Sequence, residues 1–320
     1  MNFDSTPAGW LGFGGAGIGN LYRAIDDGVA AATVEAAWNG GVRYFDTAPH
    51  YGLGLSERRL GAVLRDKPRG DFRLSTKVGR VLEADAAAEA GAVDDEGFAV
   101  PATTRRRWDP SEAGIRRSIE DSLERLGLDR IDIAYLHDPD VYDLERGISQ
   151  ALPALAKLRE EGLVASIGVG SNSAEALTEC VNRADLDLVM LAGRYTLLEQ
   201  PAAAELLPAC ERRGTGVVNV GVYNSGLLAR PDVPDNAHYN YIPAPAAVLR
   251  KARSLAEVCR SFGVELPTAA LQFSMRHPAV RSVVVGASGP AQMEQNVARA
   301  SEDVPQALWD ELERRGLIPQ

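Results

Sequence analysis

Four side chains that can bind or move a proton are spaced so that a parallel sheet would bring them to one edge. Asp46 follows the run VRYF, Lys77 follows FRLST and His137 follows IDIAYL, so each stands at the carboxyl end of a predicted strand. Tyr51 lies in the segment just after Asp46 and can fold back over that strand end. Because active sites of parallel α/β proteins form at this edge, the four residues are a candidate catalytic site.

Proton transfer by the Tyr51 phenol is the chemistry that this set predicts. A free tyrosine has a pKa of about 10, and a nearby ammonium such as that of Lys77 favours the phenolate. Asp46 can pair with Lys77 and hold its charge in a partly dry pocket. His137 can hydrogen-bond the substrate oxygen and fix its orientation. Taken singly, each residue also has an ordinary explanation as a turn cap, a solvated strand end or a core histidine.

The elements that would position these residues alternate between short apolar runs and longer amphipathic segments, which is typical of repeated βα units. Segment 111–126 is predicted as a helix, with apolar residues at helical spacing and Ser111 as its N-cap. We therefore predict one α/β domain over residues 1–320, a (β/α)8 TIM barrel. Its strands are predicted at 11–14, 42–45, 72–76, 131–136, 165–169, 186–191, 216–220 and 281–285.

One connection, residues 83–108, is unusually long for the link between a strand and the next helix. It is rich in Ala, Glu and Asp and ends in a cluster of arginines with Trp108. Long connections of this kind often act as lids over an active site. We therefore predict a loop that can serve as a lid.

Composition excludes several classes of function. The net charge of -10 argues against a nucleic-acid or acidic-membrane partner. The 3 cysteines suit reduced thiols, and the absence of a signal-like or membrane-spanning segment predicts a cytoplasmic protein with a small-molecule substrate. The 4 histidines lack zinc-ligand spacing, so no metal is expected. No Gly-x-Ser-x-Gly or phosphate-cradling Gly-Lys-Ser/Thr motif appears, which argues against hydrolases and nucleotide triphosphatases.

The glycine-rich start at residues 12–17 formally matches G-x-G-x-x-G, the dinucleotide motif of a doubly wound sheet. That motif requires a helix opening at its last glycine and a carboxylate about 20 residues further on at a strand end. Segment 18–28 instead has the composition of a loop, so the context favours the barrel.

The residues around the four candidates resemble the aldo-keto reductase family. The matching stretches, in the family's order, are Phe45-Asp46-Thr47-Ala48 with Tyr51, Gly52 and Ser56-Glu57, then Ser75-Thr76-Lys77, Ser122-Leu123 with Leu126-Gly127, Leu136-His137 and Ile167-Gly168-Val169. The resemblance implies a barrel with a nicotinamide cofactor. It also implies that Asp46, Tyr51, Lys77 and His137 form the catalytic tetrad and that no metal is needed.

The resemblance extends to the cofactor site. The implied contacts are Ser171, Asn172, Asn224, Ser225, Gly226, Leu227, Gly286, Ser288, Gln292, Gln295 and Asn296. Where many relatives carry Arg or Lys against the 2′-phosphate of NADP, this chain has Ser288 and Gly289. We therefore predict NAD as the preferred cofactor and NADP as the alternative. Val220 or Gly221 stands where the family often places a tyrosine against the nicotinamide ring.

Segments 19–22, 192–195, 223–228 and 240–245 resemble the aldose 1-dehydrogenase branch of that family. The implied reaction is oxidation of the C1 hydroxyl of an aldose such as L-fucose to the lactone, with hydride going to the nicotinamide and the proton to Tyr51. Trp10, Asn20 and Trp108 are predicted as sugar contacts. The alternatives are a pyridoxal 4-dehydrogenase, an NADPH-dependent aldehyde or ketone reductase, and a cofactor-binding regulatory subunit without significant turnover.

Overall fold

Eight parallel strands close into a barrel in the computed structural model, which describes residues 9–85, 91–240 and 242–319. The strands of the chain are β1 (Leu11–Gly14), β2 (Tyr44–Asp46), β3 (Arg73–Val78), β4 (Arg80–Ala84), β5 (Thr104–Trp108), β6 (Ile131–His137), β7 (Val164–Ser171), β8 (Leu188–Ala192), β9 (Gly216–Val220), β10 (His238–Tyr239), β11 (Ile242–Pro243) and β12 (Val280–Gly286). The barrel order is β1-β2-β3-β6-β7-β8-β9-β12, with β12 pairing back to β1. The predicted (β/α)8 barrel is confirmed.

Helices surround this barrel. They are α1 (Asp27–Asn39), α2 (Leu55–Leu64), α3 (Glu112–Leu126), α4 (Pro139–Tyr142), α5 (Leu144–Arg146), α6 (Leu152–Glu160), α7 (Ala174–Arg183), α8 (Leu206–Arg213), α9 (Ala246–Ser261), α10 (Leu266–Phe273), α11 (Pro290–Ser301) and α12 (Gln306–Arg314). Short 3-10 turns lie at Gly17–Gly19, Arg69–Asp71, Pro201–Ala203 and Ser274–Arg276, and a π-helical turn at Gly147–Ala151. The N-cap predicted for α3 is present, since Ser111 Oγ accepts the Gly114 N–H at 3.1 Å.

The strand predictions locate every barrel strand, with ends that shift by at most 2 residues. The shift in strand ends matters most at β2, which begins at Tyr44 and ends at Asp46. Side chains alternate along a strand, so Tyr44 and Asp46 face the barrel interior while Phe45 faces the helices. Accordingly, Tyr44 packs with the interior residue Tyr135, and Phe45 contacts Phe72 with ring centroids 6.2 Å apart.

The barrel interior is packed rather than open. Its apolar cluster comprises Tyr44, Ile133, Tyr135, Leu188, Met190, Val218 and Val284. Gly168 on β7 makes room for the Tyr135 ring, because a Cβ at Gly168 would lie 2.8 Å from that ring and 2.3 Å from the Leu188 carbonyl oxygen. This packing closes the lower part of the barrel and leaves the carboxyl ends of the strands as the site of a cavity.

The long connection after β3 contains secondary structure that the sequence analysis missed. β4 and β5 pair antiparallel from Arg80 with Trp108 to Ala84 with Thr104, and residues 85 and 91–103 form the described part of the segment between them. The segment also bridges to the β1–α1 connection through Leu21 and Phe98. The predicted loop therefore needs correction in part: antiparallel pairing satisfies the backbone of a ribbon anchored beside the site, while its role as a lid stays a prediction.

None of the helices in the described ranges is long and apolar enough to cross a membrane. The cytoplasmic location expected from the sequence stays a prediction.

Candidate active site

A buried ion pair joins the ends of β2 and β3. Lys77 Nζ lies 2.6 Å from Asp46 Oδ2 and also donates to the Thr47 carbonyl oxygen at 3.0 Å. Ser75 Oγ donates to the other carboxylate oxygen of Asp46 at 2.7 Å. The Lys77 and Asp46 side chains are only 3% and 5% exposed. A carboxylate with donors on both oxygens compensates the buried ammonium, so the predicted pairing is present.

The electrostatics of this pair keep Lys77 charged. Burial alone would lower the pKa of Lys77. The electrostatic effects of Asp46 and Tyr51, together with the hydrogen bonds that Lys77 makes to both, raise this pKa above its usual value. Tyr51 lies beside the ammonium, with Lys77 Nζ 4.7 Å from its ring centroid. The ammonium of Lys77 does lower the pKa of Tyr51, as the sequence predicted. Burial outweighs it, so the net pKa of Tyr51 is raised and the free phenol keeps its proton at neutral pH.

His137 stands at the end of β6 with its ring 6.1 Å from the Tyr51 ring, nearly perpendicular to it at 88°. Burial, followed by the charges of Arg80 and Lys77, holds the pKa of His137 well below its usual value. The ring is therefore neutral and carries one donor and one acceptor nitrogen. Its Nδ1 is buried and has no hydrogen-bond partner in the described chain. A neutral imidazole of this kind suits binding to a substrate oxygen.

The turn after β2 places Tyr51. Ser56 N–H donates to the Tyr51 carbonyl oxygen at 3.2 Å, and the Tyr51 N–H donates to the Ala48 carbonyl oxygen at 3.1 Å. Gly52 follows with φ +62°, and a Cβ there would lie 2.2 Å from the Gly19 carbonyl oxygen. Only glycine fits both the left-handed conformation and this close approach. The β1–α1 connection therefore packs directly on the turn that carries the phenol.

A cavity of about 480 Å³ brings the catalytic candidates together at the carboxyl ends of the strands. Its lining residues are Ala16, Leu21, Tyr22, His50, Tyr51, Lys77, Glu96, Phe98, His137, Asp138, Gly170, Ser171, Asn172, Met190, Ala192 and Val220. Three of the four tetrad residues line it directly, and Asp46 reaches it through Lys77. One wall is apolar, formed by β8 and β9, and the opposite wall is polar and aromatic.

The three residues expected to contact a sugar lie elsewhere. Trp10 precedes β1 and so lies near the amino ends of the strands, where its carbonyl oxygen accepts Ser282 Oγ at 2.8 Å. Asn20 is buried, and its side-chain amide donates to the Ala99 carbonyl oxygen at 3.2 Å. This bond ties the β1–α1 connection to the segment between β4 and β5. Trp108 stacks on Tyr142 with centroids 4.9 Å apart. None of the three belongs to the cavity lining, and their contact with a sugar stays a prediction.

The first cofactor candidates, Ser171 and Asn172, line the cavity at the end of β7. Ser171 Oγ donates to Asp140 Oδ1 at 2.7 Å and accepts the Ser173 N–H at 2.9 Å, which fixes its orientation. Val220, at the end of β9, also lines the cavity. It is one of the two residues that stand where relatives often place a tyrosine, and it gives the cavity an aliphatic surface there.

The second group of cofactor candidates lies in the connection after β9. Asn224, Ser225 and Gly226 have φ values of 45°, 57° and 88°, so three successive residues are left-handed. Turns of this kind direct successive peptide N–H groups together and can bind an anionic group. The Oδ1 of Asn224 is buried without a hydrogen-bond partner in the described chain, and a Cβ at Gly226 would meet open space. The left-handed turn and the open position at Gly226 fit a cofactor diphosphate, whereas Asn224 Oδ1 can only accept from a donor such as a ribose hydroxyl. Leu227, next in the chain, is buried.

The third group lies at α11. Ser288 N and Oγ both lie within hydrogen-bond distance of Gln292 Oε1, at 2.9 and 3.1 Å. Asn296 Oδ1 accepts the Tyr223 hydroxyl at 2.9 Å and so ties α11 to the connection after β9. Gly286 ends β12 with open space at its Cβ position, and Gln295 is exposed. The helix N-terminus at Pro290, adjacent to this open backbone, suits a bound anion.

The tertiary structure adds polar residues that sequence reasoning did not find. His50 and Asp138, neighbours in sequence of Tyr51 and His137, line the cavity, and Glu96 reaches it from the ribbon segment. Arg80 connects two of them: its Nη1 lies 3.2 Å from His50 Nδ1, and its Nη2 donates to Asp138 Oδ2 at 2.6 Å. Arg23 Nη2 donates to Ser288 Oγ at 3.0 Å. The adjacency of His50 and Asp138 to tetrad residues was the signal available in the sequence.

No cluster of three or more His, Cys, Asp or Glu side chains with the geometry of a metal site occurs among residues 9–85, 91–240 and 242–319. The donor set at the cavity fits proton and hydride transfer between organic groups. A phenol beside an ammonium, a neutral imidazole and an anion-binding backbone turn are the functional groups that an alcohol–carbonyl oxidoreductase uses.

Comparison with known proteins agrees with this chemistry. The Aldo/keto reductase family profile matches residues 10–314. A D-threo-aldose 1-dehydrogenase of Pseudomonas sp is 53% identical over 97% of this chain and 94% of its own length. The pyridoxal 4-dehydrogenase of Microbacterium luteolum is 38% identical over 96% and 94%. The holo form of a Bacillus halodurans aldo-keto reductase superposes with a TM-score of 0.75 at 27% identity, covering 95% and 91% of the two chains.

The chain belongs to the aldo-keto reductase family. It is an oxidoreductase, and the family relationship implies a nicotinamide cofactor. The sequence-based identification of family, fold and enzyme class is thereby confirmed.

Proposed function

We propose that this enzyme oxidises the C1 hydroxyl of an aldose to the lactone. The single observation that carries the proposal is the convergence of Tyr51, Lys77 and His137 on one cavity, with Asp46 paired behind them. Support for the substrate comes from the relative named D-threo-aldose 1-dehydrogenase, which matches almost the whole chain. The polar wall at His50 suits a substrate that carries several hydroxyl groups.

Each residue of the site has a separate role in the oxidation. Bound nicotinamide supplies the acceptor for the hydride that leaves C1. Tyr51, as the phenolate, takes the proton of the C1 hydroxyl, so the C–H and O–H bonds break and the C1 carbonyl forms. Lys77 stabilises the phenolate and Asp46 keeps Lys77 charged. His137 binds the reacting oxygen and orients it. Val220 and the apolar wall at β8 exclude water from the position of transfer.

The cofactor proposal is that NAD is preferred and NADP is accepted less well. Ser288 and Gln292 are neutral and bonded to each other, so they can exchange those bonds for ribose hydroxyls, whereas a phosphate dianion requires a cation. The Arg23 guanidinium contacts Ser288, but its Nη2 already donates to Ser288 Oγ and to the Ser288 carbonyl oxygen. We propose that Arg23 provides the residual affinity for NADP.

Initial rates of reduced cofactor formation test the reaction. The panel contains L-fucose, D-arabinose, L-galactose and pyridoxal, each with NAD and with NADP. We expect turnover of at least one aldose with NAD, and loss of about 10²-fold or more in Tyr51→Phe. Tyr142→Phe is the matched control, since it removes a phenol outside the cavity and should retain activity. Absence of turnover on every aldose would contradict the proposal.

Fluorescence titration of the free enzyme tests the cofactor proposal without turnover. We expect a lower Kd for NAD than for NADP. Arg23→Ala should weaken NADP about 10-fold while changing NAD little, because a charged hydrogen bond contributes about 1.5–3 kcal/mol. Arg105→Ala, at an exposed arginine paired with Glu83, is the control. Tighter binding of NADP than NAD by the wild type would overturn the assignment.

A second candidate is oxidation of pyridoxal, favoured by the relative of that name at 38% identity. Phe98 lines the cavity and stacks on the Tyr51 ring, with centroids 6.0 Å apart at an angle of 30°. An aromatic substrate could pack against this wall. Turnover of pyridoxal without turnover of any aldose, in the panel above, would select this alternative.

A further inference from the structure

A second histidine lies in the catalytic cavity, and the proton transfer described above does not use it. The His50 ring centroid is 5.9 Å from that of Tyr51 and 5.4 Å from that of His137. The His50 side chain is 14% exposed, and the residue lines the cavity. Its ring therefore faces the space in which a substrate would meet the Tyr51 hydroxyl.

The hydrogen bonding of His50 fixes which nitrogen carries the proton. Nδ1 lies 3.2 Å from Arg80 Nη1, and a guanidinium can only donate, so Nδ1 accepts. Arg80 is held in place because its Nη2 donates to Asp138 Oδ2 at 2.6 Å. The nearest competing contact at Nδ1 is Glu96 Oε2 at 3.7 Å, beyond hydrogen-bond distance. A neutral His50 whose Nδ1 accepts must carry its proton on Nε2.

The charges that face the ring keep it neutral. Burial, followed by the charges of Arg80, Arg106 and Lys77, lowers the pKa of His50 to about 2. Glu96 is the carboxylate closest to Nδ1, and it also contacts Arg80 and Arg106, at 3.9 and 3.4 Å. The ring should therefore keep a single tautomer throughout the usual pH range of an assay.

The orientation of the ring is also fixed. Phe98 packs edge-on against it at 5.2 Å and 86°, and His137 does the same at 5.4 Å and 80°. The His50 carbonyl oxygen accepts a hydrogen bond from Arg106 Nη2 at 2.9 Å. Within the described chain, the hydrogen bonds of His50 leave Nε2 without a protein acceptor. A fixed donor at a cavity wall is prepared to bind an acceptor on a ligand.

We propose that His50 is a positioning residue that donates a hydrogen bond from Nε2 to the substrate hydroxyl on the carbon next to the reacting one. This proposal rests on the function proposed above. The hydroxyl on C2 is the group of an aldose that lies beside the oxygen bound by Tyr51 and His137. The site would thus select polyhydroxylated substrates, because a substrate lacking that hydroxyl leaves the Nε2 donor unpaired in a partly dry cavity.

Paired substrates test this bond. The ratio of kcat/KM for an accepted aldose to that for its 2-deoxy analogue is measured in wild type, His50→Leu and His50→Gln. We expect a wild-type ratio of about 10 to 100, since an unpaired buried polar group costs about 1–3 kcal/mol. The ratio should fall toward one in His50→Leu and recover partly in His50→Gln, whose amide can donate. A non-specific loss of structure would lower both rates and leave the ratio unchanged.

A spectroscopic measurement tests the tautomer without turnover. Long-range ¹H–¹⁵N correlation spectra of histidine-labelled enzyme should show His50 with a protonated Nε2, an unprotonated Nδ1 and no titration between pH 5 and 8. Arg80→Met removes the guanidinium that donates to His50 Nδ1. The proportions of the two His50 tautomers should therefore change in this variant. A protonated Nδ1 or a titrating ring in wild type would overturn the proposal.

The outcomes separate the two proposals. If the wild type oxidises aldoses and the ratio is the same in wild type and His50→Leu, the role of His50 is wrong while the proposed function stands. If no aldose is oxidised, the proposed function fails and the substrate contact fails with it.

Discussion

Replacing Asp46 by Asn tests the electrostatic basis of the site. The amide has nearly the same shape as the carboxylate, so its oxygen can accept from Lys77 and its nitrogen can donate to Ser75. The geometry given by the 2.6 and 2.7 Å contacts can thus be kept while the charge is removed. Any effect beyond that of a lost hydrogen bond then reports the ion pair.

The magnitude follows from the burial of both partners. The side chains are 3% and 5% exposed, so the remaining ammonium of Lys77 would stand uncompensated, at a cost of about 3–5 kcal/mol for a buried pair broken on one side. In wild type, burial lowers the pKa of Lys77, and Asp46, together with Tyr51, more than restores it. Without that carboxylate, burial dominates and the pKa falls below its usual value. A neutral Lys77 cannot stabilise the Tyr51 phenolate, so kcat/KM should fall about 10²- to 10⁴-fold.

The same change makes stability depend on pH with a defined sign. In wild type the raised folded-state pKa of Lys77 means that its contribution is lost only as the pH rises above the ordinary lysine range. In Asp46→Asn the folded-state pKa is lowered, so unfolding binds a proton and stability rises with pH. The slope is about 1.4 kcal/mol per pH unit between the two pKa values. The variant should therefore be less destabilised at pH 9 than at pH 7.

Urea unfolding at pH 7 and 9, together with kcat/KM, measures these effects in wild type and Asp46→Asn. Ser75→Ala is the matched control, because it removes one hydrogen bond to Asp46 and no charge. It should cost about 1 kcal/mol, the usual net value of a hydrogen bond. The reasoning would be refuted if Asp46→Asn matched this control in stability and kept kcat/KM within about tenfold of wild type.

Three further predictions concern packing and pH. Gly61→Ala should destabilise the protein by about 3 kcal/mol, because its Cβ would lie 1.9 Å from the backbone oxygen at the end of α3, whereas Gly70→Ala meets open space and serves as the control in urea unfolding. Burial holds the pKa values of His50 and His137 below the usual histidine value, so the folded protein binds fewer protons than the unfolded chain below about pH 6.5 and its stability falls there as the pH falls. For His50, whose pKa is lowered to about 2, the loss is about 2 kcal/mol between pH 7 and 5, and urea unfolding of His50→Gln should show a loss smaller by that amount. Since Tyr51 has a raised pKa and acts as a base in oxidation, kcat/KM should increase with pH from 7 to 9, and a flat profile would contradict that role.

Much of the fold and of the candidate site could be predicted because both rest on local patterns. β-Branched and apolar runs predict strands through their burial, and βα alternation predicts a parallel sheet, which closes here as a barrel. Asp46, Lys77 and His137 stand at strand ends, and a barrel brings all strand ends to one face, so their convergence needs no further information. Tyr51 follows from its nearness in sequence to Asp46.

The ribbon formed by β4 and β5 was missed because its charged residues resemble a solvated loop. Thr104–Trp108 reads TRRRW, and alternating exposure along it becomes meaningful only once Arg80–Ala84 is known to be its partner. Pairing between distant segments provides the backbone hydrogen bonds that local propensity does not reveal. Trp10 and Trp108, predicted as sugar contacts, lie outside the cavity lining for a similar reason, since a sequence does not say which face of the barrel or ribbon a side chain occupies.

The sequence alone determined the family and the barrel and indicated the candidate residues for proton transfer, because those depend on side-chain type and on the periodicity of single strands. Only the tertiary structure decided the environment of the site. It brought Arg80 to His50, Glu96 and Phe98 to the cavity wall, and Arg23 to Ser288 across 265 positions of sequence. Tautomers, pKa shifts and the contacts that select substrate and cofactor depend on such distant neighbours, whose burial and charge act through space rather than along the chain.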